Sequence, residues 1–87
     1  MIYKEFKISN EDGLRARTAA LFVQAASRYA SQVLVEYENK KINAKSIMGV
    51  LSLGVKPGES IFVIANGKDE EEAIEGIAEL VENEFII

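Results

Sequence analysis

The apolar residues of this chain change period along its length, from two to about 3.6 and back, and that succession fixes which elements it can form. Ile2, Lys4, Phe6 and Ile8 alternate with Tyr3, Glu5 and Lys7, the pattern of a half-buried strand, and Ser9-Asn10-Glu11-Asp12-Gly13 ends it as a loop. From Ala16 the repeat turns helical, with Ala19, Phe22, Val23, Ala26 and Ala30 on one stripe. Val33, Val35 and Tyr37 return to alternation, Asn39-Lys40 reads as a turn, and a short strand through Ile42 and Ala44 completes a hairpin. Residues 46–53 read as a short helix with Ser46 as N-cap and Gly54 just past its end. Lys56-Pro57-Gly58-Glu59 is turn chemistry, and Ile61-Phe62-Val63-Ile64-Ala65, apolar on both faces, reads as a central strand. Asp69 with Glu72 three residues on predicts an aspartate capping box, heading a last helix whose stripe is Ile74, Ile77, Ala78, Val81 and Phe85.

The order is therefore βαββαβα, an α+β chain, and 87 residues suffice for one domain over 1–87 with one modest core. Two antiparallel arrangements share that order, the ferredoxin-like fold and an open-faced β-sandwich, and the order alone leaves both open.

What the chain lacks narrows its chemistry. It has no cysteine and no histidine, which excludes a disulfide framework, a thiolate zinc site, a cysteine nucleophile and the commonest general base. No metal or cofactor is expected. The 48% hydrophobic and 28% charged composition is that of a folded globular domain. No apolar stretch approaches the roughly 18 residues of a membrane span, and Met1-Ile2-Tyr3-Lys4-Glu5 reads as a strand and not as a targeting segment. A cytoplasmic protein without membrane association is expected. The net charge of −4 is local in origin: residues 69–87 hold eight acids and no base, while the first 68 carry ten bases against six acids. Those bases are dispersed and have no interleaved aromatics, which argues against direct nucleic-acid binding.

Two predicted helix heads carry functional candidates. Gly13-Leu14-Arg15-Ala16-Arg17-Thr18 places two arginines where unpartnered N–H groups and the positive end of the helix dipole already lie. An anion would complement them; the plainer reading is two solvated side chains. In Asn43-Ala44-Lys45-Ser46-Ile47-Met48-Gly49-Val50-Leu51, Ser46 is on one reading an N-cap and nothing more. A phosphoryl group there would be stabilised by the helix dipole with Lys45 adjacent. Ile47, Met48, Val50, Leu51 and Leu53 are more apolar residues than one buried stripe takes. Either the helix is buried on most sides, or Val50 and Leu53 face the core and Ile47, Met48 and Leu51 form a contact patch.

Over essentially its whole length the chain closely resembles the histidine-containing phosphocarrier (HPr) family of the phosphoenolpyruvate:sugar phosphotransferase system. The resemblance rests on Gly13-Leu14-Arg15-Ala16-Arg17, Ala20-Leu21-Phe22-Val23-Gln24, Asn43-Ala44-Lys45-Ser46-Ile47-Met48-Gly49 and Ser52-Leu53. It implies the open-faced β-sandwich, a four-stranded antiparallel sheet with three helices on one face. It also implies two phosphorylation sites, of which one is missing here. The family's phosphorylated histidine, in Gly-(Ile/Leu)-His-Ala-Arg-Pro, corresponds to Arg15, and the proline to Thr18. A guanidinium is a poor nucleophile, so histidine phosphotransfer, the carrier function, should be absent and the protein is not expected to be an enzyme.

The second site, a serine matching Ser46, is phosphorylated in Gram-positive members by HPr kinase/phosphorylase, and the modified form acts as corepressor for a LacI-type catabolite repressor. A histidine-less branch, the Crh type, retains only this role, with glutamine at the position of Arg15. The resemblance thus implies a Crh-type regulatory protein with Ser46 as phosphorylation site and Arg15, Arg17, Ala20, Gln24, Lys45, Ile47, Met48 and Leu51 as partner-binding residues. The alternative is a diverged paralogue that modulates sugar phosphotransfer by competing for the upstream enzyme. A third reading is a module in which Arg15 and Arg17 hold a small anion.

Overall fold

The structure is a computed structural model, and it describes residues 1–86. Seven elements follow in order: β1 (Ile2–Lys7), α1 (Ala16–Ser27), β2 (Gln32–Tyr37), β3 (Lys40–Asn43), α2 (Ile47–Leu53), β4 (Ser60–Asn66) and α3 (Glu70–Glu82). They form one antiparallel sheet in the order β1-β4-β2-β3. The last strand is thus central and the first is at an edge, the reverse of the ferredoxin-like arrangement, so the open-faced sandwich is the fold. β4 pairs with β1 from Ile2↔Ala65 to Lys7↔Ser60, and with β2 from Gln32↔Asn66 to Glu36↔Phe62. Ile61, Val63 and Ala65 share one face with Phe6, Val33 and Val35, and that face is buried together with Phe22, Val50 and Ile77 from the three helices.

The other face carries Tyr3, Phe62 and Ile64. Tyr3 stacks on Phe62 at 4.9 Å between centroids and donates its hydroxyl proton to Glu36 Oε1 at 3.1 Å. This small cover explains why β4 reads as apolar on both sides: Ile64, directly opposite Tyr3, is 6% exposed although no helix lies on its face.

Several boundaries differ from the sequence expectation for definable reasons. β1 ends at Lys7; Ile8 continues inward as a buried residue whose N–H donates to the Glu59 carbonyl at 2.8 Å. The hairpin turn is Glu38-Asn39 and not Asn39-Lys40, because Tyr37 pairs with Lys40; both turn residues are left-handed, with φ of 48° and 67°. Ala44 lies beyond β3 yet is buried, its N–H donating to Val33 O at 2.8 Å. Ala30 leaves the helical stripe, since α1 stops at Ser27 and Ala30 is exposed. Phe85 is buried as expected, but it lies past the end of α3 with a φ of 63°.

The expected capping box at Asp69 does not form. Asp69 occupies the N-cap position of α3 but makes no side-chain bond to its own helix. Its carboxylate instead accepts the N–H groups of Ala30 and Ser31, each at 2.9 Å, and the Ser31 hydroxyl. Three donors from the α1–β2 turn outcompete one from the adjacent helix, and Glu70, Glu71 and Glu72 supply the negative charge that the first turn of α3 favours. Gly67 permits this clasp: a Cβ there would lie 2.6 Å from Ser31 Oγ.

The clasp makes stability depend on acid. Bonding from the Ser31 hydroxyl first, and from the Ala30 N–H next, holds the Asp69 carboxyl down at about 2. A folded-state value below the unfolded one stabilises the native state fully above the ordinary carboxyl range and loses that contribution as pH falls from about 4 through the folded value. Thermal melts of Asp69→Asn should therefore show a lower midpoint at neutral pH and a flatter decline between pH 4 and pH 2 than the native chain. Parallel declines would mean that the carboxylate contributes nothing.

Candidate functional site

The head of α1 is built by a loop pressed against the α2–β4 connection. Leu14 donates its N–H to the Val55 carbonyl at 3.0 Å and is buried. Gly13, with φ of 62°, lies so close to that same carbonyl that no side chain fits. Asn10 closes the loop, its Nδ2 donating to Gly13 O at 2.9 Å. Arg15 is the N-cap residue, in extended conformation, and Thr18 completes the cap. The Thr18 hydroxyl accepts the Arg15 N–H at 3.0 Å and donates to the Gly13 carbonyl at 2.6 Å. The reciprocal bond of a full capping box is not available, because a guanidinium has no acceptor. The first intrahelical bond is Ala19 N–H to Arg15 O at 2.6 Å, so the N–H groups of Ala16, Arg17 and Thr18 precede the helical ladder at the end where Arg15 and Arg17 lie exposed.

Beside Arg15 is a cavity of about 410 Å³ walled by Asp12, Arg15, Gly54, Val55, Lys56 and Pro57. The sequence signals 54–57 only as a helix end and a turn. Its part in the site comes from the long-range Leu14–Val55 bond, which no local pattern announces.

Ser46 heads α2 in extended conformation, and its Oγ accepts the Gly49 N–H at 3.1 Å. It is half-buried. A Cβ on Gly49 would stand 3.3 Å from that oxygen, so glycine leaves the hydroxyl room. Val50 and Leu53 are buried, whereas Ile47, Met48 and Leu51 are 37%, 73% and 39% exposed. The helix is thus not buried on most sides, and the three exposed side chains form an apolar surface next to Ser46. α1 and α2 pack against each other, so Arg17 and Ala20, exposed on α1, belong to a helix neighbouring this surface. Gln24 is also exposed on α1, and it lines a second cavity of about 140 Å³ between α1 and α3. Lys45, adjacent to Ser46 in the chain, donates its ammonium to the carbonyl of Tyr29 at 2.7 Å. Among the described residues, Arg15, Arg17 and Lys45 form no ion pair, no acidic cluster that could hold a metal exists, and no helix is long and apolar enough to cross a membrane.

Comparison with known proteins points in one direction. Residues 2–83 match the family described as PTS HPr component phosphorylation site. The HPr-like protein Crh of Bacillus subtilis is 48% identical over 84 residues, covering 97% of this chain and 99% of that one. A crystal structure of HPr from Thermoanaerobacter tengcongensis superposes with a TM-score of 0.95 at 53% identity, covering 98% and 96% of the two chains. A crystal structure of Bacillus subtilis Crh, described as a domain-swapped dimer, gives a TM-score of 0.76 at 46% identity over the whole of both chains.

The Thr18 cap yields a direct expectation. Thr18→Val preserves shape but removes the acceptor of the Arg15 N–H and one of the two donors to the Gly13 carbonyl, which Asn10 still serves, and should cost about 1–3 kcal/mol. Urea unfolding measures it, and a change under a few tenths would show that water replaces the hydroxyl.

Proposed function

This chain belongs to the HPr family, and on that premise we propose that it is a regulatory member that carries phosphate on Ser46 and none at position 15. The observation that carries the reading is the setting of Ser46: a half-buried hydroxyl at the head of α2, with glycine beside its oxygen and Ile47, Met48 and Leu51 exposed around it. HPr kinase/phosphorylase transfers the γ-phosphoryl group of ATP to Ser46 Oγ. The O–P bond forms as the ADP oxygen leaves, and the hydroxyl proton passes to the kinase. The product adds a charge of about −1.5 to −2 and three strong acceptors to a surface that is otherwise apolar and basic. A LacI-type catabolite repressor then reads both components, the phosphate by cationic or N–H donors and Ile47, Met48 and Leu51 by an apolar pocket, with Arg15, Arg17, Ala20 and Gln24 at the rim.

Arg15 accounts for the loss of the other activity. Transfer from a phosphohistidine-type donor needs a lone pair on the attacking nitrogen, and a protonated guanidinium offers none. The charge that replaces the nucleophile stands beside a cavity that carries Lys56 and Asp12 on its wall, so two cations against one acid leave this end of the face in favour of acidic groups on a partner.

Two measurements test the proposal. Incubated with HPr kinase/phosphorylase and ATP, the native protein should gain one phosphoryl mass, mapped to Ser46, and Ser46→Ala should gain none. Addition at another serine, or none at all, overturns it. The same variant loses the helix cap and should be destabilised by about 1 kcal/mol. With phosphoenolpyruvate and the upstream enzyme, the native chain should take up no acid-labile phosphate, and Arg15→His should restore uptake. Labelling of the native chain would refute the role assigned to Arg15.

A further inference from the structure

Lys45 neighbours Ser46 in sequence but is committed elsewhere. Its ammonium binds the carbonyl of Tyr29, at the point where α1 has ended and the chain turns towards β2. The Tyr29 side chain reaches on to the third helix, its hydroxyl lying against Gly76 of α3 so closely that only glycine fits there. α1 is thus fastened at its C-terminal end on two sides, by Lys45 to the segment leading into α2 and by the Tyr29 ring to α3. Arg28 and Gly76, which flank that contact, both line the cavity of about 140 Å³ between α1 and α3.

We propose that Lys45 is a two-position residue that couples the state of Ser46 to the α1–α3 contact. In the unmodified protein it binds the Tyr29 carbonyl, two residues past the end of α1; when Ser46 carries phosphate, its ammonium moves to the phosphate and leaves that carbonyl without it. The inference rests on the reading of Ser46 as the modified residue. Its physical basis is a competition between acceptors. The carbonyl is neutral, whereas a phosphoserine on the adjacent residue carries nearly two negative charges, and charge-assisted bonds are about twice as strong as those to neutral partners. Lysine suits the exchange because its charge is compact and its four-carbon stem is flexible. Lys45 and Ser46 are both half-buried, so the ammonium and the serine hydroxyl each keep partial contact with solvent. By linkage, whatever holds the Tyr29 carbonyl in place opposes the move and whatever frees it favours the move. The phosphorylated protein then presents two changes at once, a new charge pair at α2 and a loosened Tyr29 beside the α1–α3 cavity.

The test uses full-length protein with phosphoserine built in at position 46 during synthesis, which makes it independent of any kinase. Amide NMR spectra should show Tyr29, Ala30 and Gly76 shifting on phosphorylation. Unmodified Lys45→Met should already show those shifts, and phosphoserine should move them no further. Titration followed by phosphorus NMR should give Lys45→Met a phosphoserine second pKa higher by a few tenths of a unit than the native chain. Tyr29 and Gly76 signals that stay fixed while those around Ser46 move, or an unchanged phosphoserine titration in Lys45→Met, overturn the proposal. A kinase that ignores Ser46 defeats the functional reading above without altering either readout here.

Discussion

β4 is hydrogen-bonded along both edges and apolar on both faces, and the rest of the molecule is arranged around that demand. A strand so placed must have a layer on each side. Three helices supply one layer, and the Tyr3–Phe62 stack supplies a thin second one over Ile64. Because the helices all lie on one face, α1 stands against both α2 and α3. The head of α1 then meets the α2–β4 connection through the Leu14–Val55 bond, while its other end meets α3 through Tyr29 and through the Asp69 clasp on the following turn. The functional face is therefore a product of sheet geometry as much as of the residues on it.

The two helix heads use the same element of backbone chemistry in different ways. Ser46 satisfies a helix N–H with its own oxygen, the atom that also accepts phosphate in the proposed reaction. At α1 the N-cap side chain cannot accept anything, and Thr18, three residues later, supplies the oxygen from inside the helix. A histidine-less head thus remains well formed without the side chain at position 15 taking any part in the cap, which frees that side chain to vary in charge.

Much of this was legible in the sequence because it depended on local pattern. The period changes gave the seven elements, the two-sided apolar run placed β4 in the centre, and the surplus of apolar residues in 47–53 left two readings, of which the exposed Ile47, Met48 and Leu51 are the one the structure shows. What the sequence does not show shares a physical cause. Asp69, whose expected capping box does not form, and Lys45 and Val55, whose bonds no local pattern signals, each bond to a partner distant in the chain, at Ala30 and Ser31, at Tyr29 and at Leu14 respectively. A side chain or carbonyl with a local role available gave no sign that a remote donor or acceptor would take it. The hairpin turn was misplaced by one residue for a different reason: Glu38 adopts a left-handed conformation that its composition does not advertise.

With β4 in the middle, the edges left unpaired belong to β1 and β3. Those strands read Ile-Tyr-Lys-Glu-Phe-Lys and Lys-Lys-Ile-Asn. A second molecule adding its own β3 to this β3 would have to bring four lysine charges together along a few ångströms of backbone. The same strand order that buries the most apolar segment thus leaves one open edge of the sheet guarded by charge repulsion, so that an exposed row of peptide groups need not become a template for aggregation.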